Sequence, residues 1–263
     1  MMQSNYHDMK KNIRITITTP CYNSEKTIEE TIQSIISQNY DNFEYNIVNN
    51  LSEDGTMKIV DKYSDKIHAV YHERNCGISD AFNRGIGHAE GELLGNINSD
   101  DILLPGALST IAEEIEDDTD VIYGDGLRLY PDGTTAPYNC SPLETLYYKM
   151  ALVHPAVFVK KSAYEKYGVF DIKYRCCMDR DLLLRMYTGG AKFQYIQKPL
   201  IAYRMGGFSD KTCFKYTLPE KREISIKYGM PRWKANVLYW KDYMKFNLMF
   251  FYQKHFANKY NKK

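Results

Sequence analysis

The stretch "IRITITTPCYNSEKTIEETIQSIISQ", residues 13–38, decides the fold of this chain. Its opening run is dominated by β-branched residues and stops at Pro20, which predicts a buried strand. After a short polar loop, isoleucines recur at helical spacing over residues 28–36, and Ser24 is the predicted N-cap. A strand followed directly by a helix is the first half of a βαβ unit, so the stretch predicts an α/β protein.

The same alternation continues along the chain and extends the prediction to a doubly wound sheet. Helical patterns separate four further predicted strands, at 43–50, 67–73, 92–98 and 120–125. Such alternation predicts a mostly parallel sheet, whose ligands bind outside the carboxyl ends of the strands. Three segments follow strand ends and are expected to converge there: Thr19–Asn23, Asn49–Ser52 and Asn98–Asp101.

The chain after residue 130 has a mixed pattern. "GTTAPYN" reads as a loop or hairpin, and "PAVFVKKSAYEKYGVFD" as a strand and then a helix. "MDRDLLLRMYTGG" predicts a short helix with an acidic start, and "KFQYIQKPLIAYRM" predicts two short strands. The second half is therefore expected to carry fewer parallel crossovers than the first.

Composition excludes several classes of function. The formal net charge is +1, which gives no global field for binding nucleic acid. Six cysteines are scattered without a CxxC pair, which favours a reduced, cytoplasmic protein. The N-terminal residues lack an apolar signal region, and no window reaches the ~20 apolar residues of a membrane span. Neither GxGxxG after the first strand nor GxxxxGK[ST] is present, so nucleotide binding needs other chemistry.

Five segments form an ordered set along the chain: "TTPCYNSEKTIEETIQSI", "VNNLSEDGT", "GISDAFNRGIGHAEGELLGNINSDD", "HPAVFVKKSAYEKYGVFD" and "MDRDLLLRM". This set resembles one enzyme family, the inverting family 2 glycosyltransferases with the GT-A fold. The similar sub-type builds bacterial surface polysaccharides such as O-antigen or capsule. The resemblance implies a GT-A domain over 1–210, with a nucleotide-binding half at about 13–130 and an acceptor half at about 131–210, followed by a helical extension over 211–263.

The resemblance implies a divalent metal site in "NSDD". In the family an acid-x-acid motif binds the ion that neutralises the leaving nucleoside diphosphate, and the matching positions here are Asn98, Ser99 and Asp100. Asp100 is the expected ligand of Mn²⁺ or Mg²⁺, which prefer oxygen donors. Asn98 replaces an acid and contributes no charge. The alternative for Asp101 is an N-cap of the helix predicted to begin near Pro105.

The resemblance also implies a general base. Inversion by direct displacement requires a group that takes the proton of the acceptor hydroxyl, and "MDRDLLLRM" puts Asp179 at that position. A helix N-terminus is expected to hold this carboxylate ionised. Met178 stands where the family has an acid. For Asp181, two residues on, capping of the helix is the favoured alternative.

The remaining expected site residues follow from the same resemblance. Asn49 stands where relatives have an aspartate that accepts a proton from uracil, which leaves the nucleotide open between uridine and another base. Gly77 and Gly85 are expected at turns or close packing contacts, and Gly206 and Gly207 suggest a loop that closes over the donor. The expected donor-binding residues are Thr19, Pro20, Tyr22, Asn49, Arg74 (or Arg84), Asp80, Asn83, Asn98, Ser99 and Asp100. His154, Asp181 and Arg204 are assigned to the acceptor side or a loop.

The segment from Pro231 onward has a different composition. It interleaves aromatic and aliphatic residues with lysines and arginines, and Asp242 is its only acid. A basic, aromatic-rich amphipathic helix is typical of a membrane-surface element. The alternatives are packing on its own domain or against a second subunit in a homodimer.

The resemblance thus implies transfer of a sugar from a nucleotide diphosphate donor, a UDP-sugar, to a saccharide acceptor linked to polyprenyl diphosphate. With the basic, aromatic tail, it also implies an expected site of action at the inner face of a bacterial membrane, with the protein bound peripherally. Two alternatives stay open. One is a nucleotidyltransferase, although its phosphate loop is missing after the first strand. The other is a non-catalytic nucleotide- or sugar-binding module, because Asn49, Asn98 and Met178 each replace an expected acid.

Overall fold

The computed structural model describes the backbone of residues 12–205 and 208–256. Within this part of the chain, nine strands form one sheet in the order β3-β2-β1-β4-β8-β6-β9-β5, with β7 paired to β6. The strands are β1 Ile15–Cys21, β2 Phe43–Asn49, β3 Ala69–His72, β4 Leu93–Asn96, β5 Ile102–Leu103, β6 Val121–Leu129, β7 Thr135–Tyr138, β8 Val157–Lys160 and β9 Phe193–Arg204.

Eight α-helices accompany these strands in the described part of the chain. They are α1 Ile28–Ile36, α2 Thr56–Asp61, α3 Ile78–His88, α4 Ala107–Glu114, α5 Lys161–Tyr167, α6 Met178–Thr188, α7 Phe208–Lys227 and α8 Arg232–Phe256. Short 3-10 turns cover Leu143–Tyr147 and His154–Ala156. No helix in the described residues combines the length and apolarity that crossing a membrane would need.

The N-terminal half of the sheet is parallel, as predicted. β1 pairs with β2 on one side and β4 on the other, and β2 pairs with β3. β1 runs through Pro20, two residues further than predicted. Its pairing with β4 ends at Thr18, so Pro20 has a strand neighbour only at Val48 of β2. A residue without an N–H is tolerated where one side of the strand is unpaired.

The C-terminal half of the sheet is mixed. β8 is antiparallel to both β4 and β6, and β7 forms the predicted hairpin with β6. The two short strands expected from "KFQYIQKPLIAYRM" are instead one strand, β9, which runs parallel to β6. The pairing register of β6 and β9 shifts beside Asp125. This local irregularity lies where the sequence had predicted a break between two strands, and β9 continues through it.

Two apolar layers cover the faces of the sheet, and side chains alternate between them. On β8, Phe158 enters the layer shared with α1, α2 and α4, whereas Val157 and Val159 enter the layer shared with α3, α5 and α6. β4 divides Leu93 and Leu94 in the same way. This period of two is what a strand buried on both faces requires.

Two predicted helix starts are wrong by a few residues. α1 begins at Ile28 with Thr27 at the N-cap position, whereas Ser24 accepts the N–H groups of Thr27 and Ile28 through its carbonyl. α4 begins at Ala107 after Gly106, which has φ 77°. A left-handed residue suits glycine, and it moves the start of the helix past Pro105. Asp101 therefore does not cap α4.

The C-terminal helices do not form one separate unit. Ile224 of α7 is fully buried in the layer of α3, α5 and α6, and Leu218 is 5% exposed. α8 returns along α7, with Ala235 buried between them. The boundary expected at residue 210 therefore cuts through a helix that completes the core.

Candidate functional site

The loops after β1, β2 and β4 meet at the carboxyl edge of the parallel strands. The hydroxyls of Ser24 and Ser99 hydrogen-bond at 2.8 Å, which joins the first loop to the "NSDD" loop. The backbone N–H of Asn23 donates to Ser52 Oγ at 3.0 Å, and the N–H of Glu53 donates to Asn23 Oδ1 at 2.9 Å. The predicted convergence of the three segments is therefore present in the structure.

Backbone conformation marks the same edge. Asn23 and Leu51 are the non-glycine residues with positive φ among those described, at 50° and 56°. Each follows the end of a strand, β1 or β2. Such conformations cost energy in a residue with a Cβ and cluster at binding sites, where the surroundings hold them. The chain maintains this geometry through the hydrogen bonds between the two loops.

The "NSDD" loop places two acids side by side. Asp101 is 3% exposed, and its carboxylate accepts a hydrogen bond from Asn98 Nδ2 at 2.9 Å. Burial and the neighbouring charge of Asp100 raise the pKa of Asp101 to about 8, and burial also raises the pKa of Asp100. Among the described residues, no side chain donates a hydrogen bond to the Asp100 carboxylate. Asn98 thus orients Asp101 and leaves Asp100 free.

Arg204 lies beside this loop at the end of β9. Its Nε donates to the main-chain carbonyl of Asp100 at 3.0 Å, and its guanidinium pairs with Glu30 of α1. The sequence had assigned Arg204 to the acceptor side or a loop. The structure instead fixes it against the acid loop and α1. The expected mobile glycines, Gly206 and Gly207, lie outside the described residues.

Asp179, the predicted base, lies in the first turn of α6 next to His154. Burial raises the pKa of Asp179, while the nearby charge of His154 and the N–H of Arg180, which donates at 2.7 Å, lower it. Burial also lowers the pKa of His154, whose ring packs against Phe82 and Phe170. Burial therefore opposes the ionisation of Asp179 that the helix N-terminus was expected to favour.

Asp181 has a structural position instead of a place in the site. It is fully buried and accepts hydrogen bonds from Lys227 Nζ at 2.8 Å and from the Tyr228 hydroxyl at 3.3 Å. Arg185 lies 3.7 Å away on the next turn of α6. Asp181 therefore neither caps α6 nor faces a substrate: it ties α6 to the end of α7.

Two residues that hold α6 were missed by sequence reasoning. Arg180 is 1% exposed and donates to the carbonyls of Leu146, Tyr147 and Lys221 at 2.8–3.0 Å, and to Ser225 Oγ at 2.7 Å. Glu220 of α7 accepts the N–H groups of Arg175, Cys176 and Cys177, which lead into α6, at 2.9–3.0 Å. Neither residue stood out locally, because each has other charged residues beside it in α6 or α7.

The structure departs from the prediction at one of the residues expected to contact the nucleobase, Asn49. Tyr22 follows β1 and is 58% exposed, so its ring is accessible, whereas Thr19 and Pro20 are buried within β1. Asn49 is 2% exposed, and its carbonyl oxygen accepts hydrogen bonds from Ser52 N and Oγ at 3.0 and 2.7 Å. Its amide nitrogen lies 3.1 Å from His72 Nδ1. Asn49 therefore has no free acceptor for a base.

Helix α3 carries two of the expected donor-binding residues, and both have partners within the protein. Asn83 exchanges two hydrogen bonds of 2.9 Å with the backbone of Phe170, so both ends of its amide are engaged. Asp80 accepts the N–H of Cys76 at 2.9 Å and lies 3.5 Å from Arg84, which also pairs with Glu73 at 2.7 Å. Their roles in donor binding stay predictions.

Arg74 and two glycines complete this side. Arg74 is exposed just after β3, and no described residue pairs with its guanidinium. Gly77 has φ 127° before α3, and a Cβ on Gly85 would clash with Thr18 of β1. The expected turn and packing roles of the two glycines are therefore confirmed.

A second cluster of metal-type ligands lies at the opposite edge of the sheet. The ligand atoms of Glu44, His68 and Glu90 lie within 4.8 Å of one another. Arg14 Nη2 already bridges Glu44 and Glu90 at 2.7 and 2.8 Å. Since Glu44 lies near the start of β2, this cluster is remote from Asn49 at its end. Arg14 thus already neutralises charge in this cluster, which is separate from the loops at the carboxyl edge.

Comparison with known proteins identifies the family. The model described as "Glycosyl transferase family 2" matches residues 16–166, more than half of the chain. The chain belongs to glycosyl transferase family 2. The match spans the loops after β1, β2 and β4, and it ends within α5, before Asp179.

One curated relative of this family 2 protein is the putative teichuronic acid biosynthesis glycosyltransferase TuaG of Bacillus subtilis. It is 36% identical over 90 residues, which cover 33% of this chain and 36% of TuaG. The chain spans about a third of the length of the first curated relatives that it matches.

Solved structures confirm the fold. S. aureus TarS 1–349 in complex with UDP-GlcNAc matches with a TM-score of 0.68 and 19% identity, covering 86% of this chain and 70% of that one. The mannosyltransferase PcManGT from Pyrobaculum calidifontis, in complex with GDP-Man and Mn²⁺, matches with a TM-score of 0.64 and 16% identity, covering 88% and 69%. The predicted GT-A fold, a mixed α/β sheet flanked by helices, is confirmed.

Proposed function

We propose that this family 2 protein is an inverting glycosyltransferase, which moves a sugar from a nucleotide diphosphate donor to a hydroxyl of a saccharide acceptor. The proposed donor is a UDP-sugar and the proposed acceptor is lipid-linked, as in surface polysaccharide synthesis. Support comes from the family, from the UDP-GlcNAc complex of TarS and from the biosynthetic role in the printed name of TuaG.

The observation that carries the proposal is the contrast between two carboxylates of α6. Asp181 is committed to Lys227 and Tyr228. Asp179 has one hydrogen bond, from the adjacent backbone, and its pKa is raised by burial. A carboxylate without a structural partner and with a raised pKa suits a general base. In the proposed step, the acceptor oxygen attacks the anomeric carbon, its proton passes to Asp179 and the nucleoside diphosphate departs.

The "NSDD" loop fits a divalent cation. The proposed ligand is Asp100, whose carboxylate oxygens suit Mn²⁺ or Mg²⁺, and burial makes its charge costly without a cation. When bound, the ion would neutralise charge on the diphosphate. Asn98 orients Asp101 by its hydrogen bond. Tyr22 offers a ring for stacking on the base, and Arg74 offers an unpaired charge near the neighbouring strand end.

The proposal is tested by donor hydrolysis and transfer with a panel of nucleotide sugars in Mn²⁺, together with thermal shift as a binding readout. We expect turnover in the wild type and at least a hundredfold loss in Asp179→Asn. Asp65→Asn is the matched control, because Asp65 is 73% exposed and has only a 3.7 Å contact with Lys66. UDP binding without turnover in the wild type would refute the enzyme and favour a non-catalytic binding module.

A further inference from the structure

Helix α8 presents an exposed apolar stripe within the described part of the chain. Five side chains form it, spaced four, three, four and four residues apart, which places them within about 80° of one another around the helix. The α8 stripe comprises Trp233, Val237, Trp240, Met244 and Leu248, with exposures of 70%, 58%, 56%, 63% and 72%. A run of large exposed side chains along one helix face marks an interaction surface.

The opposite face of α8 explains why the stripe points outward. Ala235 is 2% exposed against α7. Asn236 accepts a hydrogen bond from Arg222 Nε at 2.6 Å, and Asp242 lies 3.4 Å from Lys221 Nζ. These contacts fix the rotation of α8 about its axis. Because α8 packs on α7 through its other face, the stripe points outward on a helix that the rest of the protein holds in place.

The charges beside the α8 stripe indicate what kind of partner binds it. Lys234, Lys241 and Lys245 are exposed and lie about 60–100° from the centre of the stripe along one flank. Asp242, the only acid in the chain after Pro231, faces α7 instead. A second copy docked through the stripe would bring cations of both copies together with no acid on this surface to meet them. An anionic surface satisfies the same lysines without repulsion.

We propose that the α8 stripe docks into the headgroup region of a bilayer rich in anionic lipid, with the lysine flank at the phosphates. Tryptophan and aliphatic side chains flanked by lysines are suited to this interfacial position. The proposal extends the proposed function, in which the acceptor is lipid-linked. It is argued from α8 alone, and its test contains neither donor nor acceptor, so its failure leaves glycosyl transfer untouched.

The chain supplies its own reporter. It contains two tryptophans, Trp233 and Trp240, and both belong to the stripe. The full chain is mixed with phosphatidylcholine vesicles, with or without phosphatidylglycerol, and tryptophan emission and co-sedimentation are measured. We expect a blue shift and sedimentation with the anionic vesicles. Absence of both would overturn the proposal.

Variants separate charge from apolar insertion. Each cation near an anionic surface contributes about a fivefold factor in partitioning, so Lys241→Glu with Lys245→Glu should lower binding to anionic vesicles more than tenfold. Met244→Glu should weaken binding as well, while Ile172→Glu, at an exposed apolar residue (61%) outside α8, should leave it unchanged. Helical content by circular dichroism checks folding, since all four side chains are exposed.

Sedimentation of the protein without lipid separates the two occupants. We expect no change of oligomeric state on Met244→Glu. A dimer that Met244→Glu dissociates, combined with no vesicle binding by the wild type, would overturn the proposal in favour of a second copy. If the wild type and the variant with Lys241→Glu and Lys245→Glu bound anionic vesicles equally, the proposed contact between the lysine flank and the lipid phosphates would be wrong.

Discussion

Replacing Glu220 with glutamine should destabilise the protein and impair the proposed transfer together. The carboxylate of Glu220 lies in α7 and is 8% exposed. It accepts the N–H groups of Arg175, Cys176 and Cys177 at 2.9, 3.0 and 2.9 Å. These three groups enter α6, and Asp179 lies two residues beyond the last. The side chain thus caps the helix that carries the proposed base from outside that helix.

The magnitude follows from the contacts. Glutamine has one acceptor oxygen, so it can keep the two bonds of Oε2 only as neutral ones, each weaker by about 1 kcal/mol. Its NH₂ group would then face the N–H of Arg175, which leaves a donor unsatisfied at about 1–3 kcal/mol. The expected loss is about 3–5 kcal/mol, or roughly 6–20 °C in Tm for a chain of this size.

The assay pairs thermal unfolding with transfer kinetics. Glu223→Gln is the matched control, because Glu223 lies one turn further along α7, is 57% exposed and pairs with Lys173 at 3.0 Å. We expect it to change stability by less than about 1 kcal/mol. If Glu220→Gln and Glu223→Gln prove equally mild, the capping of α6 from α7 does not matter, and our reasoning about how Asp179 is positioned fails.

Four further outcomes are expected. Asp179→Asn should lose turnover yet raise Tm at neutral pH. Burial raises the pKa of Asp179 in the folded protein, so ionising this carboxyl costs stability as pH rises, and asparagine avoids that cost. Calorimetry at about pH 5 and 8 checks that the difference in Tm between the variant and the wild type grows with pH. Asp100→Asn should abolish the thermal shift caused by Mn²⁺ while leaving the metal-free protein folded. Arg180→Met should cost about 3–5 kcal/mol in chemical denaturation, since it strips four buried acceptors. A chain ending at Gly229 should fold with native-like cooperativity by calorimetry, and one ending at Asp210 should not.

The parallel half of the fold was predictable because its signals are local. Each predicted strand and helix over residues 13–125 has a local sequence pattern, and the carboxyl-edge rule brings their loops together without knowledge of any contact. The two-residue strand β5 was not predicted, because its partner β9 is distant in sequence. β9 was less predictable. Pro199 and the polar residues before it suggested a break, but a register shift beside Asp125 lets β6 and β9 remain paired across it.

The roles of individual polar residues were harder to predict, because their partners are distant in sequence. Asn83 binds the backbone of Phe170, 87 residues away, and Asp181 binds Lys227, 46 residues away. Both lie in segments that resemble the family, as Asp179 does. A sequence motif shows which residue types occur in order. Whether a carboxylate is already hydrogen-bonded depends on the residues that the fold places next to it.

The hydrogen bonds and ion pairs of these groups also define the smallest part of the chain that can fold with the site intact. α6 receives Arg180 contacts from the carbonyl of Lys221 and from Ser225, a cap from Glu220 and an ion pair from Lys227, all on α7. An apolar contact by Ile224 completes the layer beneath. A domain that ended at residue 210 would leave Arg180 and Asp181 buried without these partners, at the cost of unpaired buried charge. We therefore propose that the glycosyltransferase unit extends through α7, and that α8 is the segment whose outer face serves another role.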